Sequence, residues 1–172
     1  MRVDKIAEEV VSSLISKNQK VVLAESCTCG LVAATLGKIS GVSEYLCGSA
    51  VTYRPNTKRI WLKVSNKIIK SKTTESHEVA QSMALGVLAN TPEANWSLSV
   101  VGHIGPNAPK EKDGLIFGCI AKRTKKGRLK IKEIVEYKLS KKERHERQKE
   151  AVEAMLTYLA KTLLKSPKKQ HV

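Results

Sequence analysis

Aromatic side chains are scarce in this chain, 4% of its residues with a single Phe. That argues against the base-stacking surface on which single-strand nucleic-acid binders rely. No apolar run comes near the roughly 18–20 residues of a membrane span. The first residues carry Asp4, Glu8 and Glu9 within an amphipathic pattern, which does not describe a signal peptide. Zinc-site spacing is missing as well. The four cysteines include Cys27 and Cys29 as a C-x-C pair, and His77, His103, His145 and His171 are scattered, so no second ligand pair accompanies it. The expectation is a cytoplasmic protein with reduced thiols, no metal, no cofactor and no membrane contact.

What is present suits one core. A chain of 172 residues, 41% of them hydrophobic, is long enough to fold without staples and too apolar for disorder. We expect one domain over residues 1–165 and a basic, frayed tail over 166–172. The formal net charge is +15, and from Lys122 to Lys149 thirteen Lys or Arg face four Glu. Such a block is either a solvated hairpin and helix surface or a weak, non-specific polyanion-binding face. No helix-turn-helix, zinc-finger or RNA-recognition signature accompanies it.

Hydrophobic spacing predicts a helix over 3–17 with Val3, Ile6, Val10, Leu14 and Ile15 on one stripe, and a buried strand at 21–24. A small polar turn over 25–30 leads into a short helix at 31–36. A strand is expected at 50–53, ended by Arg54-Pro55-Asn56, then a short helix at 57–62. Ser76 reads as the N-cap of a helix burying Val79, Met83, Val87 and Leu88. A strand at 96–101, a breaker-rich loop at 102–109, and strands at 115–121 and 129–137 around Lys126-Gly127 follow. The last helix, 142–164, buries Val152, Met155, Leu156, Leu159 and Leu163. This order specifies an α/β fold: one layered domain with a mixed sheet flanked by helices.

The loops 25–30, 53–58 and 102–109 each follow a strand, and ligand sites of open α/β sheets collect at strand ends. They offer the hydroxyls of Ser26 and Thr28, the Tyr53 phenol, Lys58 and His103. A serine becomes a nucleophile when a base takes its proton, and a desolvated neutral lysine is such a base. The residues alone also fit a helix-capping serine and a solvated lysine.

Ala24-Glu25-Ser26-Cys27-Thr28-Cys29-Gly30 closely resembles the A-E-S-C-T-G-G signature of the CinA C-terminal domain family, the nicotinamide-nucleotide amidases. Gly41-Val42-Ser43 is similar to its G-S-S turn, and Val51-Thr52-Tyr53 with Lys58 to its V-T-Y-S-N-x-A-K segment. Ser76, Glu78, Val79, Ala80, Met83 and Ala84 match V-S-E-x-V-A-x-x-M-A, and Gly102 and Gly105-Pro106 fall on T-G-I-A-G-P. The resemblance implies metal-independent hydrolysis of the carboxamide of nicotinamide mononucleotide to the carboxylate, with release of ammonia. It implies Ser26 as nucleophile, Lys58 as base and proton donor, and Tyr53 as the group orienting lysine or substrate. Glu25, Cys27, Thr28, Cys29, Gly30, Val101, Gly102, His103, Gly105 and Arg147 are implied as substrate-binding. The N–H groups around Cys27–Gly30 would hold an oxyanion or a phosphate. A homo-oligomer, a dimer in the family, is also implied. Full-length members carry an N-terminal nucleotide-processing domain, whose activity is not expected of this chain.

Departures from the motifs mark a divergent subgroup. Cys29 stands at a glycine position, Val101 replaces a hydroxyl-bearing Thr, and His103-Ile104 replaces Ile-Ala. Lys141-Lys142-Glu143 takes the place of G-D-R, while Arg147 matches the second arginine. A catalytically silent paralogue binding a nucleotide-like ligand is the alternative reading, with a basic polyanion-binding protein after it.

Overall fold

A computed structural model describes residues 2–165. The basic tail expected from Ser166 lies outside the described residues. In chain order the elements are α1 (Arg2–Lys17), β1 (Val21–Glu25), α2 (Leu31–Gly37), a 3₁₀ turn (Val42–Glu44), β2 (Leu46–Val51), α3 (Pro55–Leu62), α4 (Asn66–Lys72), α5 (His77–Ala89), β3 (Trp96–Gly102), β4 (Leu115–Arg123), β5 (Leu129–Lys138) and α6 (Arg144–Lys165). The five strands form one mixed sheet in the order β2-β1-β3-β4-β5. β1 runs parallel to β2 and β3, whereas β3–β4 and β4–β5 are antiparallel.

Alternation along the strands divides the core between the two faces of the sheet. Val21 and Leu23, Leu98 and Val100, and Ile116 and Ile120 pack with α1, α2 and α6. Val22 and Ala24, Val101, and Phe117, Cys119 and Ala121 pack with α5 and Leu62. Ser97 and Ser99 also face α5, where their hydroxyls donate to Ala84 O (2.8 Å) and Ala80 O (2.6 Å). Two buried hydroxyls thereby find acceptors, and the helix is held at a fixed height along the central strand.

Several element ends differ from the sequence reading. β2 spans 46–51, not 50–53, because its partner β1 pairs Val21 to Glu25 with Leu46 to Val51. Pro55 opens α3 instead of sitting in a preceding turn, since a residue without an N–H is well placed at a helix start. α4 is capped by Ser65, whose hydroxyl accepts from Lys67 N (3.1 Å), and has no buried residue. With no apolar stripe it gave no periodic signal. On α1 the buried face includes Ala7 and Val11, while Ile15 is exposed. The α5 cap stands as expected: Ser76 Oγ accepts from Val79 N (3.3 Å).

Gly86 in α5 lies against the end of α3, where an added Cβ would fall 2.0 Å from Leu62 O. Gly→Ala inside a helix normally gains about 1 kcal/mol. Here the clash is with backbone, so Gly86→Ala should destabilise the fold by about 1–3 kcal/mol. Urea denaturation checks this through the shift in midpoint.

Candidate active site

β1 ends at Glu25, and the chain turns through Ser26–Gly30 into α2. The Glu25 side chain is 1% exposed. Its Oε2 accepts from Thr28 Oγ1 (2.7 Å), Gly30 N (3.0 Å) and Val32 N (3.0 Å), and its Oε1 from Ala33 N (3.0 Å) and Ser49 Oγ (2.9 Å). A buried carboxylate is tolerated when donors surround it, and the first N–H groups of a helix lack intrahelical acceptors. Each need meets the other here. Cys29 and Gly30 adopt positive φ, 52° and 92°. Cys29 therefore occupies a left-handed conformation that costs a side-chain-bearing residue more than glycine.

These contacts revise the expected ligand role of the helix start. Gly30, Val32 and Ala33 give their N–H groups to Glu25, and Cys29 N donates to Ser26 O (3.1 Å). Within the turn, only the N–H groups of Cys27 and Thr28 make no bond to another described residue. Glu25 and Thr28 thus shape the turn from beneath, and Cys29 is exposed on its outer side. Ser26 N donates to Val100 O (3.0 Å), which fixes the serine against the end of β3.

Lys58 reaches Ser26 from α3. It is 1% exposed, and its Nζ donates to Ser26 Oγ (2.9 Å), Thr52 O (2.7 Å) and Tyr53 O (3.3 Å). Burial pulls its pKa below the ordinary lysine value, against the carboxylate of Glu75, which pushes it up. A neutral amine has two N–H groups and one lone pair. With the two carbonyls accepting the N–H groups, the lone pair is left for the Ser26 hydroxyl proton. The neighbouring Cys27 thiol is pushed up to about 12 by burial, so it stays protonated at neutral pH and is no rival nucleophile.

A cavity of about 160 Å³ opens over the serine, lined by Ser26, Cys27, Tyr53, Glu75, Arg144 and the loop 102–108, which includes His103. The three loops singled out in the sequence do converge here. Arg144, Glu75 and Gln148 were not anticipated. One Arg144 Nη donates to Tyr53 Oη (2.7 Å) and the other to Gly105 O, so its guanidinium ties two of the loops together. The signal was present: Arg144 is one residue beyond Glu143, the position at which the G-D-R arginine is lost. His103 Nε2 lies 3.5 Å from Glu75 Oε2, and Glu75 Oε1 accepts from Thr74 Oγ1 (2.6 Å). Gln148 Nε2 donates to Cys27 O (3.1 Å).

Val101 and Arg147 lie behind the cavity wall. Val101 is fully buried in the α5-side core, so the loss of a hydroxyl there does not strip the cavity as the sequence suggested. Arg147 is paired through both Nη atoms with Asp113 (2.7 Å each), and its Nε donates to Lys141 O (2.7 Å). It braces the loop instead of facing a ligand. Gly102 is required by close packing, since a Cβ would fall 2.6 Å from Ile116 Cα. A larger groove of about 650 Å³ between α1, β5 and α6 contains no serine–lysine pair. Among the described residues, no three His, Cys, Asp or Glu side chains gather as a metal site.

Comparison with known proteins agrees with this architecture. The pattern defining the CinA C-terminal domain matches residues 3–163. A CinA-like protein of Prochlorococcus marinus (strain MIT 9215) is 33% identical over 120 residues, 69% of this chain and 28% of the relative. One of Syntrophomonas wolfei is 34% identical over 133 residues, 76% of this chain and 31% of the relative. The matched segment thus spans roughly three tenths of these relatives' length. Among solved structures, the competence/damage inducible protein CihA of Agrobacterium tumefaciens superposes with a TM-score of 0.85 at 27% identity, covering 94% of this chain and 96% of that one. The competence damage-inducible protein A of Klebsiella pneumoniae (TM-score 0.87, 23% identity, 96% and 99% covered) shares the fold. The chain belongs to the CinA C-terminal domain family.

Proposed function

We propose that this domain is a metal-independent amidohydrolase of the nicotinamide-mononucleotide type, with Ser26 as nucleophile and Lys58 as base. The observation that carries the reading is the buried Lys58 Nζ, 2.9 Å from Ser26 Oγ, with two carbonyls accepting its other hydrogens. Lys58 takes the hydroxyl proton as Ser26 Oγ attacks the carboxamide carbon. The resulting oxyanion is met by the unengaged N–H groups of Cys27 and Thr28. Collapse breaks the C–N bond while Lys58 returns the proton to the departing nitrogen, giving ammonia and an acyl ester on Ser26. Water, deprotonated by Lys58, then adds to the ester carbon. The C–Oγ bond breaks as Lys58 returns that proton to Ser26 Oγ, and the acid product leaves and ionises to the carboxylate.

The cavity is smaller than the roughly 300–1,000 Å³ of pockets enclosing a drug-sized ligand. A carboxamide-bearing ring enters it, and the rest of a mononucleotide extends to the mouth. Arg144 stands there beside Tyr53 Oη and takes the anion-binding duty that the start of α2 has given to Glu25. Release of ammonia from nicotinamide mononucleotide by the purified protein tests the reading directly. Binding without turnover would leave a ligand-binding domain.

Two variants check the roles. Ser26→Ala should lower ammonia release at least about 1,000-fold while leaving the denaturation midpoint nearly unchanged. Unaltered turnover would remove Ser26 from the chemistry. Because Lys58 must be neutral to act, the rate should rise with pH toward a midpoint below the ordinary lysine range. Glu75→Gln removes a carboxylate that favours the lysine's proton, so the midpoint should move to lower pH and the rate at pH 7 should increase. A rate independent of pH between about 6 and 9 would overturn Lys58 as the base.

A further inference from the structure

No Asp or Glu occurs between Glu44 and Glu75, and residues 54–72 of that stretch carry seven Lys or Arg. Lys58 is buried in the site and Lys72 pairs with Glu78 (3.3 Å). Arg54, Arg59, Lys63, Lys67 and Lys70 are exposed and form no ion pair among the described residues. Set among them at the end of α3 are two adjacent apolar side chains, Ile60 (49% exposed) and Trp61 (52% exposed). α4 follows directly and buries none of its residues. The surface therefore joins unneutralised positive charge to apolar tips that the fold itself does not cover.

We propose that the α3–α4 surface docks this domain on an anionic lipid bilayer, with Ile60 and Trp61 entering the interface and the five cations facing the headgroups. Charge complementarity calls for an anionic partner, and the apolar pair narrows it. A tryptophan ring suits the headgroup level of a bilayer, and long cationic side chains bury their stems while keeping their charge in water. Basic clusters are drawn to anionic leaflets in the same way. A nucleic acid would use the charges and could stack on Trp61, but it offers nothing to the aliphatic Ile60. No helix of the described residues is long and apolar enough to cross a membrane, so the contact is peripheral. The expectation of no membrane contact rested on the lack of a spanning run, which does not bear on peripheral docking.

The two tryptophans supply the test. Trp96 is fully buried, with its Nε1 donating to Gln19 Oε1 (2.6 Å), so a change in emission on docking reports Trp61. The full chain is mixed with vesicles of phosphatidylcholine alone, or of phosphatidylcholine and phosphatidylglycerol in equal parts. Co-sedimentation with the anionic vesicles only, a blue shift, quenching by brominated acyl chains and release by salt are expected. Combined Ile60→Ser and Trp61→Ser should weaken vesicle binding at least about tenfold, and Arg59→Gln, Lys63→Gln, Lys67→Gln and Lys70→Gln together should abolish it. Far-UV circular dichroism confirms that the variants fold, and quenching of the unsubstituted protein needs no variant. The proposal is overturned by absence of binding to anionic vesicles or by retention of binding in the charge variant. An unquenched Trp61 would overturn it too, as would a nucleic-acid oligomer that displaces the vesicles and binds more tightly.

Discussion

The buried carboxylate of Glu25 is the constraint on which the site depends. An ionised group in that position requires donors, and the local chain supplies them from the first turn of α2, from Thr28 and from Ser49 on the neighbouring strand. Satisfying one charge closes the turn, starts the helix and ties β1 to β2. Ser26, next along the chain, is thereby set against the end of β3 by its bond to Val100. The same act removes those helix N–H groups from ligand binding. Under the proposed function the anion-binding group is therefore Arg144, which comes from α6, remote in sequence, to the cavity beside Tyr53.

Around that frame the electrostatics are balanced more than extreme. Lys58 is buried enough to favour its neutral form, yet the Glu75 carboxylate opposes that shift. The carboxylate faces His103 in turn. A group whose proton is held by competing environments is one that can both take and return it, as the proposed reaction requires of Lys58. Cys27 lies on the other side of the balance. Burial keeps its proton in place and leaves the serine as the group that the lysine can activate.

Positive charge is spent unevenly over the surface. Within the block 122–149, Arg123 donates to Ala94 O and Leu88 O, Lys122 lies over the Trp96 ring, Arg147 binds Asp113, and Lys149 pairs with Glu146. Much of what the sequence presents as a candidate polyanion face is engaged in holding the structure. Lys125, Lys126, Arg128, Lys130, Lys132, Lys141 and Lys142 remain exposed and without an ion pair among the described residues, and α3 and α4 carry a second such group in Arg54, Arg59, Lys63, Lys67 and Lys70.

The family signature, the α/β order, the helix faces of α5 and α6 and the three loops at strand ends were legible in the sequence. Each rests on spacing along a short segment, which local backbone geometry turns directly into a face, a cap or a turn. Residues 26 and 58 could be nominated as a pair by type and by motif. Their 2.9 Å contact depends on α3 folding back across the end of β1. The side of the wall on which Val101 lies, the commitment of Arg147 to Asp113 and the arrival of Arg144 at Tyr53 were decided by tertiary packing alone. A one-residue displacement on a helix turns a side chain by about 100°, and only the docking of α6 against the sheet determines which arginine then faces the cavity.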